Sequence, residues 1–310
     1  MNSSNGRLLA ALAAVTLWST NAYGADLALG EMGLGWLLLV QFTTASAALL
    51  VVRAVQDRRH VRTDVASSSA TQRERPDRTA IVIGVVGLTG TTFLQYLAFA
   101  TAPIVAANVL AYAWPLLAAV WLAITRRNRH ASVSAGLALL GFGGIGLIFT
   151  GPSQSTAEAA IAAAPWGYVA ALGSAVCMAI YTLGASRRPT TTSSSVLIPA
   201  TLAGAAAAVV LTALGDGPAP TVTGVVAAAY LGLGPMAAGY ALWTRAMTGG
   251  GAERLSPLGY ATPLLSTVLL LATGADAGQR TFLGAGLVLG CSVGVLAYDR
   301  HATRSGSAVG

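Results

Sequence analysis

Long apolar stretches separated by short polar connections dominate the chain. A helix needs about 20 apolar residues to cross a hydrocarbon core about 30 Å thick, because its backbone amides must be satisfied within the segment. Ten stretches meet this requirement, so the pattern predicts an all-α integral membrane protein with ten transmembrane helices. The predicted spans are residues 7–29, 34–53, 79–101, 103–125, 132–150, 165–185, 194–214, 221–246, 254–274 and 280–299.

The composition also indicates a membrane protein. Of the 310 residues, 55% are hydrophobic and only 9% are charged, whereas soluble domains carry about 25% charged residues. The two cysteines, Cys177 and Cys291, both lie inside apolar stretches. They therefore predict neither a disulfide framework nor the ligand spacing of a zinc site. We expect the protein to bind no metal and no cofactor.

The arginines predict the orientation in the membrane. All 18 basic residues are Arg, and numbering the connections alternately places all of them except Arg280 on one side. Basic residues in short loops are retained in the cytoplasm, so we expect a multi-pass protein of the bacterial inner membrane with both termini cytoplasmic. The net charge of +7 is spread over several cytoplasmic segments, which argues against a nucleic-acid-binding patch.

Two polar segments divide the chain. Residues 54–78 mix Arg with Ser, Asp and Glu, and they predict a cytoplasmic Arg-rich linker. Residues 151–164 are small and polar and fall midway along the chain, so they predict an extracytoplasmic loop between two halves. The halves are residues 1–150, with transmembrane helices one to five, and residues 165–300, with helices six to ten.

The two halves share motifs at matching places. The fourth span reads Tyr-Ala-Trp-Pro-Leu-Leu from Tyr112, and the ninth reads Tyr-Ala-Thr-Pro-Leu-Leu from Tyr260. Tyr96 in the third span corresponds in the same way to Tyr240 in the eighth. Because each half has an odd number of spans, the second copy must enter the membrane from the opposite side. The sequence thus predicts two inverted five-helix repeats, a pattern typical of alternating-access transporters.

With these repeats, the paired Tyr-x-x-Pro-Leu-Leu motifs and glycine-rich fifth helices, the chain resembles the drug/metabolite transporter superfamily in its EamA-type branch. Within that branch, Trp114 and Pro115, preceded by Tyr112, are similar to the corresponding segment of the YddG-type aromatic amino acid exporters. The resemblance implies export of aromatic and other bulky neutral amino acids by alternating access. Met178 departs from it, because those exporters are expected to carry Trp at this place.

Polar and aromatic side chains at membrane depth are the candidates for the transport pathway, because polar groups are costly in lipid unless they face a cavity or another helix. An aromatic zwitterion needs an apolar slot for its ring and neutral hydrogen-bonding groups for its charged ends. Trp114 is included on the resemblance alone. The predicted substrate-binding residues are Trp18, Asn21, Gln95, Tyr96, Phe99, Asn108, Tyr112, Trp114, Tyr181, Tyr240, Trp243 and Tyr260.

These residues divide into two predicted roles. The ring would lie among Trp18, Phe99, Trp114 and Trp243, and the polar ends would meet the amide side chains and the tyrosine hydroxyls. The alternative for each is packing between helices or anchoring at the membrane surface. Pro115 and Pro263 each free a backbone carbonyl one turn earlier and stand at matching places, so we predict that they are hinges.

No charged residue falls near the centre of a predicted span, which disfavours coupling through a buried carboxylate and favours facilitated transport. The same absence argues against the alternative substrates, drug-like cations, although efflux of these or of other small metabolites stays open. The three histidines, His60, His130 and His301, all lie in cytoplasmic segments. We therefore expect no enzyme, with small molecules and lipid as partners, and a monomer, with a dimer left open.

Overall fold

The structure is a computed structural model of the whole chain. It describes residues 3–64, 78–114, 165–186, 193–247, 258–259, 261–274 and 278–306, together with scattered residues between 116 and 147. Helices make up nearly all of these residues. In chain order they are α1 (Ser3–Ser19), α2 (Asn21–Leu29), α3 (Leu34–Asp64), α4 (Arg78–Gly84), the π-helix π1 (Val85–Gly90), α5 (Thr91–Thr101), α6 (Ile104–Ala111), α7 (Pro165–Ser186), α8 (Ser193–Leu214), α9 (Val222–Leu231), the π-helix π2 (Gly232–Gly239), α10 (Tyr240–Met247), α11 (Ala261–Ala272) and α12 (Gln279–Gly306).

Six helical stretches in the described part of the chain are long and apolar enough to cross a membrane. They correspond to the predicted spans one, two, three, six, seven and eight, and they are Asn5–Leu29, Leu34–Arg58, Arg78–Thr101, Pro165–Gly184, Val196–Leu214 and Val222–Ala246. Shorter apolar helices, Ala261–Ala272 and Phe282–Cys291, fall within the predicted spans nine and ten. Spans four and five are only partly described, and the predicted loop 151–164 lies outside the described residues. The count of ten therefore stays a prediction.

The first span is divided into two helices. It is divided at Thr20, which separates α1 from α2. The hydroxyls of Ser19 and Thr20 donate hydrogen bonds to the carbonyls of Thr16 and Leu17, at 2.8 Å in both cases. Such side-chain bonds to the preceding turn compete with the helical ladder and bend helices.

The third and eighth spans each contain a π-helix between two α-helices. π1 separates α4 from α5, and π2 separates α9 from α10. Pro235 lies inside π2, and a proline has no N–H to offer to the helical ladder. Wider π turns of this kind are found mostly at functional sites, and both π-helices precede residues that line the cavity described below.

The second span is longer than predicted. α3 continues through Asp64, so the first residues of the predicted linker 54–78 extend the helix beyond the apolar stretch. Residues 65–77 lie outside the described part of the chain, and α4 begins at Arg78.

Helices of the first half pack mainly against helices of the second. α3 lies against α8, α5 lies against α7, and α1 and α2 lie against the stretch from α9 to α10. Glycines allow these close approaches: a Cβ at Gly24 would lie 2.9 Å from Leu231 Cδ2, and one at Gly204 would overlap the ring of Phe42. The buried core therefore lies between the halves, where a substrate site is expected.

Candidate functional site

A cavity of about 50 Å³ lies between the two halves. Its wall comes from both, since α1, α2, α3, α5 and the segment after α6 line one side, and α7, π2, α10 and α11 line the other. The lining residues are Trp18, Asn21, Gln41, Thr91, Thr92, Gln95, Tyr96, Ala111, Tyr112, Trp114, Met178, Pro235, Met236, Tyr240, Gly259 and Thr262.

A chain of hydrogen bonds joins four polar side chains of the cavity wall. Gln41 Nε2 donates to the Tyr96 hydroxyl at 3.0 Å, and this hydroxyl donates to Asn21 Oδ1 at 2.8 Å. Asn21 Nδ2 in turn donates to Gln95 Oε1 at 3.4 Å. All four residues are at least nine-tenths buried. The chain links α2, α3 and α5, so it fixes the polar side of the cavity by bonds within the first half.

Aromatic rings form another part of the wall. The Trp18 ring lies 5.2 Å from the rings of both Tyr240 and Trp243, measured between centroids. Tyr181 extends the cluster, with its ring 5.8 Å from that of Tyr240. These distances and tilted geometries are those of favourable aromatic pairs. The cluster presents ring edges and faces to the cavity beside a set of neutral polar groups.

The segment after α6 adds further groups. α6 ends at Ala111, and Tyr112 and Ala113 form a turn after it. The Tyr112 hydroxyl donates to the Trp18 carbonyl oxygen at 3.1 Å. This bond connects the fourth span to the place where the first span is divided.

Seven of the twelve predicted substrate-binding residues line the cavity: Trp18, Asn21, Gln95, Tyr96, Tyr112, Trp114 and Tyr240. Phe99, Tyr181 and Trp243 lie behind the wall, where each packs on a lining ring, namely Tyr96, Tyr240 and Trp18 respectively. These three residues do not line the cavity in this conformation, so their predicted role as direct substrate contacts stays a prediction. They stabilise the rings that do line it.

Asn108 is also outside the lining. Its Oδ1 accepts a hydrogen bond of 3.3 Å from the Ser266 hydroxyl. Asn108 therefore joins α6 to α11, and such a contact between helices is the alternative to substrate binding given above. Tyr260 and Pro115 lie outside the described residues. Pro263 is buried in the first turn of α11, where a proline is tolerated because no N–H partner is needed. The predicted hinge role of Pro263 stays a prediction.

The sequence interpretation missed several lining residues. Gln41 is the clearest, since a polar residue at the centre of the second span carries the same signal that identified Gln95. The remaining ones, among them Thr91, Pro235 and Thr262, are small or apolar residues of a kind found on every face of these helices. Only the path of the backbone, in particular the π-helices, brings them to the cavity.

The cavity is uncharged, since no lining residue in the described part of the chain is charged. Three buried polar atoms of its wall have no hydrogen-bond partner: Gln41 Oε1, Thr91 Oγ1 and Thr262 Oγ1. Buried polar atoms are normally paired, and unpaired ones are candidates for contacts with water or a ligand. A cavity of about 50 Å³ holds a few water molecules, whereas ligand pockets measure about 300–1,000 Å³. A bulky substrate therefore requires the walls of the cavity to move apart.

Comparison with known proteins agrees with this geometry. The model of the EamA-like transporter family matches residues 6–150 and 165–297. The chain is 32% identical over 225 residues to the aromatic amino acid exporter YddG of Ancylobacter novellus, an alignment that covers 71% of this chain and 76% of the exporter. A solved crystal structure superposes with a TM-score of 0.63 and 25% identity, over 96% of this chain and 99% of that one.

Proposed function

The chain belongs to the EamA-like transporter family, and from this premise we propose that it exports aromatic and other bulky neutral amino acids from the cell. The relative that exports aromatic amino acids supports the substrate class. The wall of the cavity supports it as well, because it combines neutral amides and hydroxyls with aromatic rings.

The observation that carries the proposal is this combination of neutral polar groups and aromatic rings in an uncharged wall. A zwitterion has one donor end and one acceptor end and no net charge, so amide groups can meet both ends without a charged partner. The aromatic side chain of the substrate would lie against the Trp18 and Tyr240 rings, where edge and face contacts are favourable. A cation without a carboxylate would leave a net charge buried without a counter-ion, which is costly.

Alternating access between two inverted five-helix repeats is the mechanism that fits this arrangement. Contacts between the halves occur in equivalent pairs. The first span packs on the eighth, and the sixth packs on the third. Gly24 and Gly184, which correspond in the repeat, each face a large aliphatic side chain of the other half, Leu231 and Ile83. These matched contacts are what two copies related by an axis in the membrane plane would make.

Facilitated transport is the expected energetics. The uncharged wall offers no carboxylate or histidine in the described residues that would carry a coupled proton. The direction of flow would then follow the substrate gradient, outward from a cell that accumulates amino acids. We place the chain in the bacterial inner membrane with both termini cytoplasmic, on the distribution of its arginines.

Growth of cells on toxic substrates tests the proposal. Cells that express the protein should survive fluorophenylalanine better than cells with an empty vector, because the analogue is exported. Their resistance to cationic dyes should be unchanged. Resistance to dyes without resistance to fluorophenylalanine would replace amino acid export by cation efflux.

A further inference from the structure

Gln41 lines the cavity and has an acceptor atom without a hydrogen-bond partner. Its side chain is 1% exposed, and its Nε2 is committed to the Tyr96 hydroxyl at 3.0 Å. Its Oε1 is buried in the cavity wall and has no hydrogen-bond partner. An amide carbonyl oxygen can accept two hydrogen bonds, so the group is available to a ligand.

The order of donors along the hydrogen-bond chain is consistent with this orientation of the amide. Tyr96 has one hydroxyl hydrogen, and it is donated to Asn21 Oδ1. The same hydroxyl can therefore only accept from Gln41, which turns Nε2 toward Tyr96 and leaves Oε1 as the acceptor. The unpaired acceptor thus agrees with the order of donors along Gln41, Tyr96 and Asn21.

Close packing holds the backbone of Gln41 in place. A Cβ at Gly232, the first residue of π2, would overlap the Gln41 carbonyl oxygen and the Thr44 hydroxyl. Only glycine at this point allows α3 to lie directly on π2. The acceptor is therefore positioned by contact between the two halves and not by a flexible loop.

We propose that Gln41 is a specificity-determining residue whose Oε1 accepts a hydrogen bond from the α-ammonium group of the transported amino acid. The inference rests on the proposed function and names the contact that distinguishes amino acids from other aromatic compounds. An ammonium carries three donors and no acceptor, and the described wall of the cavity contains no carboxylate to meet it. A hydrogen bond between a neutral group and a charged one is stronger than one between two neutral groups. Gln41 then selects substrates that carry an ammonium group together with their own carboxylate.

Competition in proteoliposomes tests the inference. The purified full chain is reconstituted, and counterflow of labelled L-phenylalanine is competed by unlabelled L-phenylalanine or by 3-phenylpropanoate, which lacks the ammonium group. In the wild type, L-phenylalanine should compete at a concentration about 10- to 100-fold lower than 3-phenylpropanoate, as expected for one hydrogen bond to a charged group. Gln41→Leu should reduce this preference to within about 3-fold. The variant should weaken competition by L-phenylalanine and leave competition by 3-phenylpropanoate nearly unchanged.

A second variant keeps the side chain's size and adds charge. Gln41→Glu should strengthen competition by phenethylamine, an ammonium without a carboxylate, by about 10-fold or more relative to the wild type. This gain does not depend on Gln41→Leu folding. Ser46→Ala is the matched control, because Ser46 lies in the same helix and has a buried hydroxyl without a partner, yet it does not line the cavity. It should retain the wild-type preference.

The outcomes separate the two proposals. If the wild type shows no counterflow of L-phenylalanine, the proposed function fails and the role of Gln41 fails with it. If the wild type transports L-phenylalanine but Gln41→Leu weakens both competitors equally, or Gln41→Glu gains nothing with phenethylamine, the function stands and the assignment of Gln41 is overturned.

Discussion

The indole Nε1 of Trp18 donates a hydrogen bond of 2.9 Å to the carbonyl oxygen of Pro235, a residue 217 positions away. Trp18 is the residue before the last one of α1, next to the point where the first span is divided, and Pro235 lies inside π2. The bond therefore joins the two irregular points of the first and eighth spans across the interface of the halves. Gly239 permits it, since a Cβ there would lie 2.7 Å from Trp18 Nε1.

Trp18→Phe removes this donor while keeping an aromatic ring in the cavity wall. The Pro235 carbonyl would lose this hydrogen bond, which costs about 0.5–1.5 kcal/mol. We expect a lower melting temperature in detergent and a transport rate reduced about 10-fold, because the ring is no longer fixed against π2. Trp166→Phe is the control: Trp166 is 73% exposed, and its variant should match the wild type in both measurements. Equal losses in the two variants would contradict the role of the bond.

Tyr96 is the central member of the polar chain in the cavity. Tyr96→Phe would leave Gln41 Nε2 and Asn21 Oδ1 without their shared partner. We expect kcat/KM for L-phenylalanine to fall by about 10-fold or more, with the folded yield from detergent maintained because the ring remains. Tyr23→Phe provides the comparison, since Tyr23 is 39% exposed and should transport normally. Unchanged kcat/KM in Tyr96→Phe would remove the polar chain from substrate recognition.

The connection between the first two spans packs on the connection between α8 and α9. Gly33 N donates to the Pro218 carbonyl at 3.1 Å, and the Thr221 hydroxyl donates to Glu31 Oε2 at 2.7 Å. A Cβ at Gly33 would lie 2.8 Å from the Cα of Gly217. Because backbone stands on both sides of this contact, no side chain can move away to relieve it.

Gly33→Ala should therefore destabilise the protein by about 1–3 kcal/mol, the usual cost of overpacking. Gly286→Ala is the matched control, because no described atom lies within 4 Å of the position that its Cβ would take. Inside α12 this change should be neutral or stabilising by about 0.5–1 kcal/mol. Thermal unfolding in detergent measures both. A Gly33→Ala variant as stable as Gly286→Ala would show that the two connections are not packed together.

The apolar pattern predicted much of the fold because a helix in lipid must satisfy its own backbone, so length and hydropathy are sufficient signals. Six predicted spans correspond to membrane-length helices. The division at Thr20 and the two π-helices could not be predicted in this way. They depend on where hydroxyls bond to the preceding turn and where glycine and proline meet a neighbouring helix, as Gly232 meets α3.

The candidate site was also predictable only in part. Asn21, Gln95 and Tyr96 were predicted from their cost in lipid, and the structure brings them into one hydrogen-bond chain. The Asn108 amide is equally costly to bury in lipid, yet its partner is Ser266 of α11. Polarity at membrane depth predicts that a group has a partner, but it does not tell whether this partner is a substrate or another helix.

Counterflow of labelled L-phenylalanine into proteoliposomes, with and without an imposed pH gradient, tests the central claim most directly. The uncharged cavity wall predicts uptake that unlabelled aromatic amino acids compete, that a pH gradient does not drive, and that stays constant between about pH 6 and 8, where the substrate remains a zwitterion. Uptake that requires the gradient would contradict facilitated transport, and the absence of uptake under every condition would contradict the transport of aromatic amino acids itself.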